Sequence, residues 1–548
     1  MNVRTPRLAV VLPLVLLPVI AACGSRARVV VEDDAAVEGA SPTLAFDEAG
    51  APPDASLGRD PETCEEATLT RSYVGCDYYP TVTANNVWSV FDYAVVVSNI
   101  GKTAAEVRVE GPSATNVVAV LAPGELRKIY LPWVPALKGP DADAFGSAVA
   151  MTASVVARKG AFHLVSSVPV VVYQFNALEY RGQGGPPGKS WASCPNRLSC
   201  FSRSNDASLL LPTTAWTTSY RVTGMPGWST GAPLPDPHIM GATLSVTAAF
   251  DDTDVTVHLA GKAHVLAGAD TPAKGPGETV TFRLQKGDVA ELVTPKGERY
   301  DLSGSLVASS HPVEVITGIP CVNVPKDQAA CDHVEETVLP AEALGRRYVV
   351  TTPSRPKGGR GLHVVRLYGN RDGTRLVYAP KKPAGCPDTL GAGEVAECSG
   401  LVSEDFVVEA TAEIGVSSFL VGATMYDPTD EDPRGDPSQT SFAAIEQFRR
   451  TYLFLAPDDY DTSYAVVVGP EDARPVLDGV PVSAPFEPIA AGLGTFRVTL
   501  GPGKGGSHTL AADKPVGVQV LGYGGYTSYA YPGGLDLRLI SPPPALPK

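Results

Sequence analysis

Residues 311–350 read HPVEVITGIPCVNVPKDQAACDHVEETVLPAEALGRRYVV. An apolar run, Val313–Ile316, opens the stretch as a strand, and Cys321 and Cys331 then bracket a polar loop. An acidic segment passes through Pro340 and Gly345 into a second strand at Tyr348. The stretch closes one structural unit and opens another, and weaker copies of it recur on both sides.

Its first marker, a proline followed by alternating valines, recurs as Ser167-Val168-Pro169-Val170-Val171-Val172, Ser310-His311-Pro312-Val313-Glu314-Val315 and Asp513-Lys514-Pro515-Val516-Gly517-Val518. A degenerate copy, Ala412-Glu413-Ile414-Gly415-Val416, carries Glu413 at the proline position. A glycine-acid pair precedes the first three in chain order, those at Ser167, Ser310 and Ala412, at Gly124-Glu125, Gly287-Asp288 and Gly393-Glu394. Leu211-Pro212 leads to Tyr220 as Leu339-Pro340 leads to Tyr348. Such spacing fits small β-domains rather than solenoid turns or propeller blades. Period-2 alternation with one polar face suits antiparallel sheets packed face to face.

The expected fold is all-β: tandem antiparallel β-sandwich-like repeat units, about four, at 63–205, 206–338, 339–440 and 441–540, with a Pro-rich tail at 541–548. Turns are expected at Asp251-Asp252-Thr253, and hairpins at Asp372-Gly373 and Asp478-Gly479. Ser441–Arg450 could form one or two helical turns.

The chain has 548 residues, with 54 Gly, 50 Pro and a net charge of -15. Glycine and proline break helices, and the acidity argues against a nucleic-acid partner, which needs clustered Lys and Arg. Residues 1–22 read as an export signal: Arg4 and Arg7 precede the apolar run Leu8–Ile20, which Pro13 and Pro18 interrupt and which is too short to span a bilayer. Ile20-Ala21-Ala22-Cys23 resembles a bacterial lipoprotein cleavage box, which implies lipid on Cys23 and attachment to a membrane; Gly24 in place of Asp points to the outer membrane or cell surface. Residues 23–62 are too poor in large apolar side chains to offset chain entropy and read as a disordered acidic tether.

The other eight cysteines fall into close neighbours: Cys64/Cys76, Cys194/Cys200, Cys321/Cys331 and Cys386/Cys398. In an oxidising compartment, local disulfides are the economical reading. Metal binding around Cys331-Asp332-His333 is the rival, weakened by the lack of any CxxC spacing.

Cys321, Cys331-Asp332-His333-Val334-Glu335-Glu336, Leu339-Pro340, Leu344-Gly345 and Tyr348-Val349-Val350 together resemble the N-terminal domain of the IgGFc-binding protein family. Gly435-Asp436-Pro437-Ser438, Glu446-Gln447-Phe448 and Tyr452-Leu453-Phe454-Leu455 resemble a second block of its bacterial members. Spanning roughly 76–540, the resemblance implies an extracellular all-β module for adhesion or binding. It brings over no binding residues.

Letter matches to catalytic motifs fail on context. Gly227-Trp228-Ser229-Thr230-Gly231 lies among prolines, where no helix can follow the serine. Gly501, Gly503 and Gly506 lead into a strand rather than a helix. Asp427, Asp430, Glu431, Asp432 and Asp436 cluster without EF-hand spacing, and Arg434-Gly435-Asp436 is a short tripeptide match. The reading is a lipid-anchored binding or adhesion protein for an extracellular protein or glycan, without catalytic residues, metal or cofactor. The alternatives are a self-assembling structural envelope protein and an extracytoplasmic hydrolase. Binding is expected on loops that follow the marker strands, through Trp191, Tyr526 and Tyr529, because aromatic side chains offer large contact area at low entropy cost.

Overall fold

The computed structural model describes residues 60–142, 147–178, 186, 188–195, 200–229, 239–326, 328, 331–426, 433–500 and 506–547. They belong to one compact unit spanning Leu44–Lys548. The chain is all-β, and the export signal, Cys23 and nearly all of the tether lie outside the described residues.

Marker strands organise the sheets: β1 (His163–Asn176), β2 (Leu306–Val322), β3 (Ile414–Leu420) and β4 (Gly506–Gly524). Three of them change partners partway along. The first half of β1 pairs with Ala105–Gly111 and the second with Tyr93–Asn99. Leu306–Ser309 of β2 pairs with Thr253–His258, whereas Val313–Gly318 pairs with Thr243–Ala248. β4 pairs first with Arg449–Ala456 and then with Thr462–Pro470. Pro169, Pro312 and Pro515 sit where one ladder ends and the next begins. No partner there needs the N–H that proline lacks, so proline is tolerated in the middle of an otherwise valine-rich strand.

A buried tyrosine fastens each of these three points, and a fourth fastens the start of β3. The hydroxyl of Tyr78 donates to the Val170 carbonyl at 2.7 Å, that of Tyr220 to Val313 at 2.6 Å, that of Tyr348 to Ile414 at 2.6 Å, and that of Tyr452 to Val516. The backbone N–H groups of Thr217, Gly345 and Arg449 donate back to the last three hydroxyls. Removing one hydroxyl leaves both a buried donor and a buried acceptor short of a partner. Tyr220→Phe should therefore cost about 1–3 kcal/mol in urea denaturation; a loss within error of zero would show that the bond is incidental.

The sheets draw their strands from 75–209, from 155–337, from 347–441 in a pair of four-stranded sheets, and from 449–532. Val155–Ala157 precedes β1 in sequence yet pairs with Val289–Val293 of the second sheet. Residues from the first and last strand groups share one core: the Tyr73 and Tyr173 hydroxyls both reach the Leu453 carbonyl, and the Tyr173 and Tyr531 rings lie 4.7 Å apart.

Some local expectations are corrected. Asp372-Gly373 does not close a hairpin, because His363–Gly369 and Thr374–Ala379 lie in different sheets. Only Gly373 is left-handed there, at φ 67°, whereas Asp478 and Gly479 both are, at 51° and 77°, and Val476–Leu477 does pair with Val480–Pro481. A two-residue hairpin of the first primed type needs both positions left-handed. The turn expected at Asp251-Asp252-Thr253 is present, with Asp252 left-handed at φ 54°, and the strands on its two sides, Thr243–Ala248 and Thr253–His258, both pair with β2. Within Ser441–Arg450 the helical content is one 3-10 turn, Ile445–Gln447. The helix Cys64–Thr70 was not expected. Its signal was Thr63 followed by Glu66: the Thr63 hydroxyl accepts the Glu66 N–H at 3.1 Å, and the Glu66 carboxylate accepts the Glu62 N–H at 2.7 Å.

Candidate functional site

Loops and strand ends of several strand groups meet at a cavity of about 350 Å³ lined by Trp88, Phe201, Arg203, the Cys321–Cys331 disulfide, Asp436 and Tyr526, among others. Tyr526 stands at the tip between β4 and Thr527–Pro532, left-handed at φ 55°. That tip is stitched to the segment before Asp436: Tyr526 N–H donates to Pro433 O at 3.2 Å, Gly435 N–H donates to Gly524 O at 2.9 Å, and the Ser528 hydroxyl donates to Asp436 O. The Arg203 guanidinium lies over two rings, 4.6 Å from that of Phe201 and 5.2 Å from that of Tyr526.

The loop bearing Arg203 is fixed from below. The Asn205 side chain accepts from the Ser202 hydroxyl at 2.7 Å and donates to Ala177 O at 2.7 Å, and its N–H donates to Asp332 at 2.7 Å. Next to it, the Asp206 carboxylate accepts from the Ser438 hydroxyl at 2.6 Å and from the N–H groups of Ala207, Gln439 and Glu335 at 2.9, 2.9 and 3.1 Å. One acid thus joins three strand groups.

Asp436 is 1% exposed and its Oδ1 has no partner. Burial pushes its carboxyl well above the ordinary carboxylate range, with the Arg203 charge opposing. Burial and the charges of Asp436 and Asp206 push Asp332 up in the same way. The Trp88 indole N–H and the Arg203 Nε are also buried without partners. Unpartnered polar atoms from several loops thus lie buried in the residues around the cavity, with a guanidinium close to two aromatic rings.

Of the aromatics expected to contact ligand, Tyr526 alone lines this cavity, half-buried. Trp191 is a correction: it is 2% exposed, donates its indole N–H to Asp92 at 2.7 Å and packs against Phe91 and Tyr130. Tyr529 is another. It is fully buried, donates to the Ser463 hydroxyl at 2.9 Å, meets the Tyr460 ring edge to face and stacks against Tyr531. Strand alternation turns Tyr529 inward while Tyr526, at the turn, faces the cavity.

The cysteines pair as Cys64–Cys76, Cys194–Cys200, Cys321–Cys331 and Cys386–Cys398. Asp332 and His333 are buried, the His333 ring bonding Ile319 O at 3.1 Å, and no cluster able to hold a metal exists among the described residues. Asp427, Asp430, Glu431 and Asp432 lie outside the described residues. The Arg434-Gly435-Asp436 tripeptide is not displayed: Arg434 pairs with Asp461 at 2.6 Å and Asp436 is buried. At the serine motif, Trp228–Ser229 pairs with Ile239–Met240 as a short strand, and the Ser229 hydroxyl bonds Glu298 at 3.1 Å. Arg203 and Trp88 were missed. Phe201 and Arg203 directly behind Cys200 were a usable signal; Trp88 offered none.

The chain is thus all-β and disulfide-bonded, with a loop-built cavity lined in part by aromatic side chains. A family model described as IgGFc binding protein matches residues 206–522, and the chain belongs to that family. It is 31% identical over 227 residues to the human (Homo sapiens) IgGFc-binding protein, a match covering 41% of this chain and 4% of the relative. No solved structure matches.

Proposed function

We propose that the protein is a surface-displayed binding module for an extracellular protein, with the contact face around Tyr526. The observation that carries this reading is the convergence of Phe201, Arg203, the Cys321–Cys331 disulfide, Asp436 and Tyr526 from separate loops onto one cavity. Recognition residues concentrate on loops held by a rigid scaffold, and arginine and tyrosine are the side chains most enriched at energetic centres of interfaces. The name of the human relative makes immunoglobulin Fc the first directed probe.

A photo-crosslinking amino acid placed at position 526, with Val480 on a distant exposed turn as control, tests the face on living cells. A foreign secreted polypeptide should cross-link at 526 and not at 480. Only self-cross-links would favour the structural envelope reading, and equal capture at both positions would remove the face from consideration.

The anchor is the lipid on Cys23. Labelled palmitate should enter the wild-type chain and not the Cys23→Ser variant; equal labelling of the two would defeat the anchor.

A further inference from the structure

Where the first strand group meets the strand Asp332–Thr337, a hydroxyl, an amide, a carboxylate and an imidazole converge. Thr83 is 1% exposed, and Asn176, His333 and Glu335 are 0% exposed. The Thr83 hydroxyl donates to Glu335 Oε2 at 2.6 Å. The Asn176 amide nitrogen donates to that same oxygen and, at 3.3 Å, to Thr83 Oγ. His333 Nδ1 donates to the Ile319 carbonyl at 3.1 Å, which leaves the lone pair of the neutral ring on Nε2. That nitrogen lies 3.5 Å from Thr83 Oγ and 3.7 Å from Glu335 Oε2, so the hydroxyl proton has a second acceptor beside it. The other end of the Asn176 amide, Oδ1, is buried with no donor, and such an atom calls for a reason. A hydroxyl resting on a general base is how serine and threonine become nucleophiles. Here the same carboxylate oxygen also touches the nitrogen that would have to leave.

We propose that Thr83 and Asn176 join as an internal ester, formed by the folded chain itself with Glu335 moving the proton. Thr83 Oγ bonds to Asn176 Cγ while Glu335 Oε2 takes the hydroxyl proton. The Cγ–Nδ2 bond then breaks, the same carboxyl hands the proton to Nδ2, and ammonia leaves. Nothing is oxidised or reduced, and no co-reactant enters. The terminal torsion of asparagine is soft, so the amide carbon can turn toward the hydroxyl without movement of the backbone. Holding both groups in one site removes the need for a bimolecular encounter, and exclusion of water protects the finished ester from hydrolysis. An ester carbonyl is a weaker acceptor than the amide carbonyl it replaces, which suits an oxygen that no donor reaches. The structure holds the unreacted arrangement; after the step Glu335 keeps the Gln174 amide and the Ser208 hydroxyl. The link closes a span of 93 residues that none of the four disulfides, all local, bridges.

Peptide mass mapping of the full chain, reduced and digested with trypsin, is the test. Wild type should yield a linked species joining residues 72–102 to residues 160–181. It should be lighter than the two peptides together by the mass of ammonia, about 17 Da. Hydroxylamine, which cleaves esters and spares amides, should split it. Thr83→Val keeps the shape of the side chain and loses the hydroxyl; it should give only the separate peptides at full mass. Glu335→Gln, scored on its folded soluble fraction, should do the same. The proposal is overturned if wild type gives only the separate peptides, which means a plain hydrogen-bond cluster. It is overturned as well if the linked species survives hydroxylamine, or if it persists in Thr83→Val or Glu335→Gln. The wild-type map needs no variant, so a substitution that fails to fold leaves the proposal open to refutation.

Discussion

Replacing Glu335 with leucine should destabilise the protein by about 4 kcal/mol or more. Glu335 is fully buried in the strand Asp332–Thr337, which pairs with β2. Its carboxylate accepts from the Thr83 hydroxyl at 2.6 Å, the Gln174 amide at 3.1 Å, the Ser208 hydroxyl at 3.3 Å and the Asn176 amide. All of these donors belong to the first strand group, so one side chain holds two sheets together. Leucine fills similar space but strands every donor in a dry environment, each at roughly 1–3 kcal/mol before relaxation. Glu335→Gln keeps an acceptor oxygen but turns a donor toward donors, and should cost about half as much. Urea denaturation followed by tryptophan fluorescence measures both. A loss under about 1 kcal/mol for the leucine variant would mean that water replaces the carboxylate and that the junction is not dry.

Stability should fall as pH rises from about 5 to 9, the reverse of the behaviour of salt-bridged surface acids. Burial raises Asp206, Glu314, Asp332, Glu336 and Asp436 well above their ordinary range, and raises Glu291 from 4.5 to about 8. A raised acid keeps its proton when folded and gives it up when unfolded. Its stabilising contribution is complete below the unfolded value and is lost as pH climbs through the folded one. For Glu291 that window runs from about 4.5 to about 8. Its Oε1 accepts the Ala84 N–H at 3.0 Å and the Ser245 hydroxyl at 3.4 Å, while Oε2 has no donor. Glu291→Gln keeps the accepting oxygen and cannot ionise. It should match the wild type near pH 4.5 and exceed it by roughly 4–5 kcal/mol at pH 9. A wild-type stability that is flat or rising between pH 5 and 9 would show that water reaches these groups.

What the sequence made legible was local. Cysteines 6 to 12 residues apart pair because short loops leave them little choice. The proline-valine markers were visible because each occupies a place where the ladder demands a residue able to do without its N–H. What they fasten to was not visible, since Tyr220 and Val313 meet across 93 residues. The Asp372-Gly373 hairpin misled because a turn dipeptide says nothing about which sheet each flanking strand joins. Trp191 and Tyr529 looked like contact residues because a Tyr-rich, Gly-rich segment reads the same whether it is displayed or packed. The acids were the least readable. Asp206 and Glu335 sit where charged residues almost never do, and only the fold shows that their surroundings supply donors.

The small strand Val155–Ala157 has a consequence for how this chain can be divided. The family match begins at Asp206, yet the sheet that it enters ends in Val289–Val293, whose outer edge is covered by this borrowed strand from earlier in the chain. A fragment cut at that boundary would carry a bare row of backbone donors and acceptors beside buried Val289, Ala290 and Leu292. Bare edges of that kind recruit other chains. The segment before Asp206 therefore acts as a built-in guard against edge-to-edge association, and a gene fusion or proteolytic nick that removes it would turn a self-contained module into one that seeks a second copy of itself.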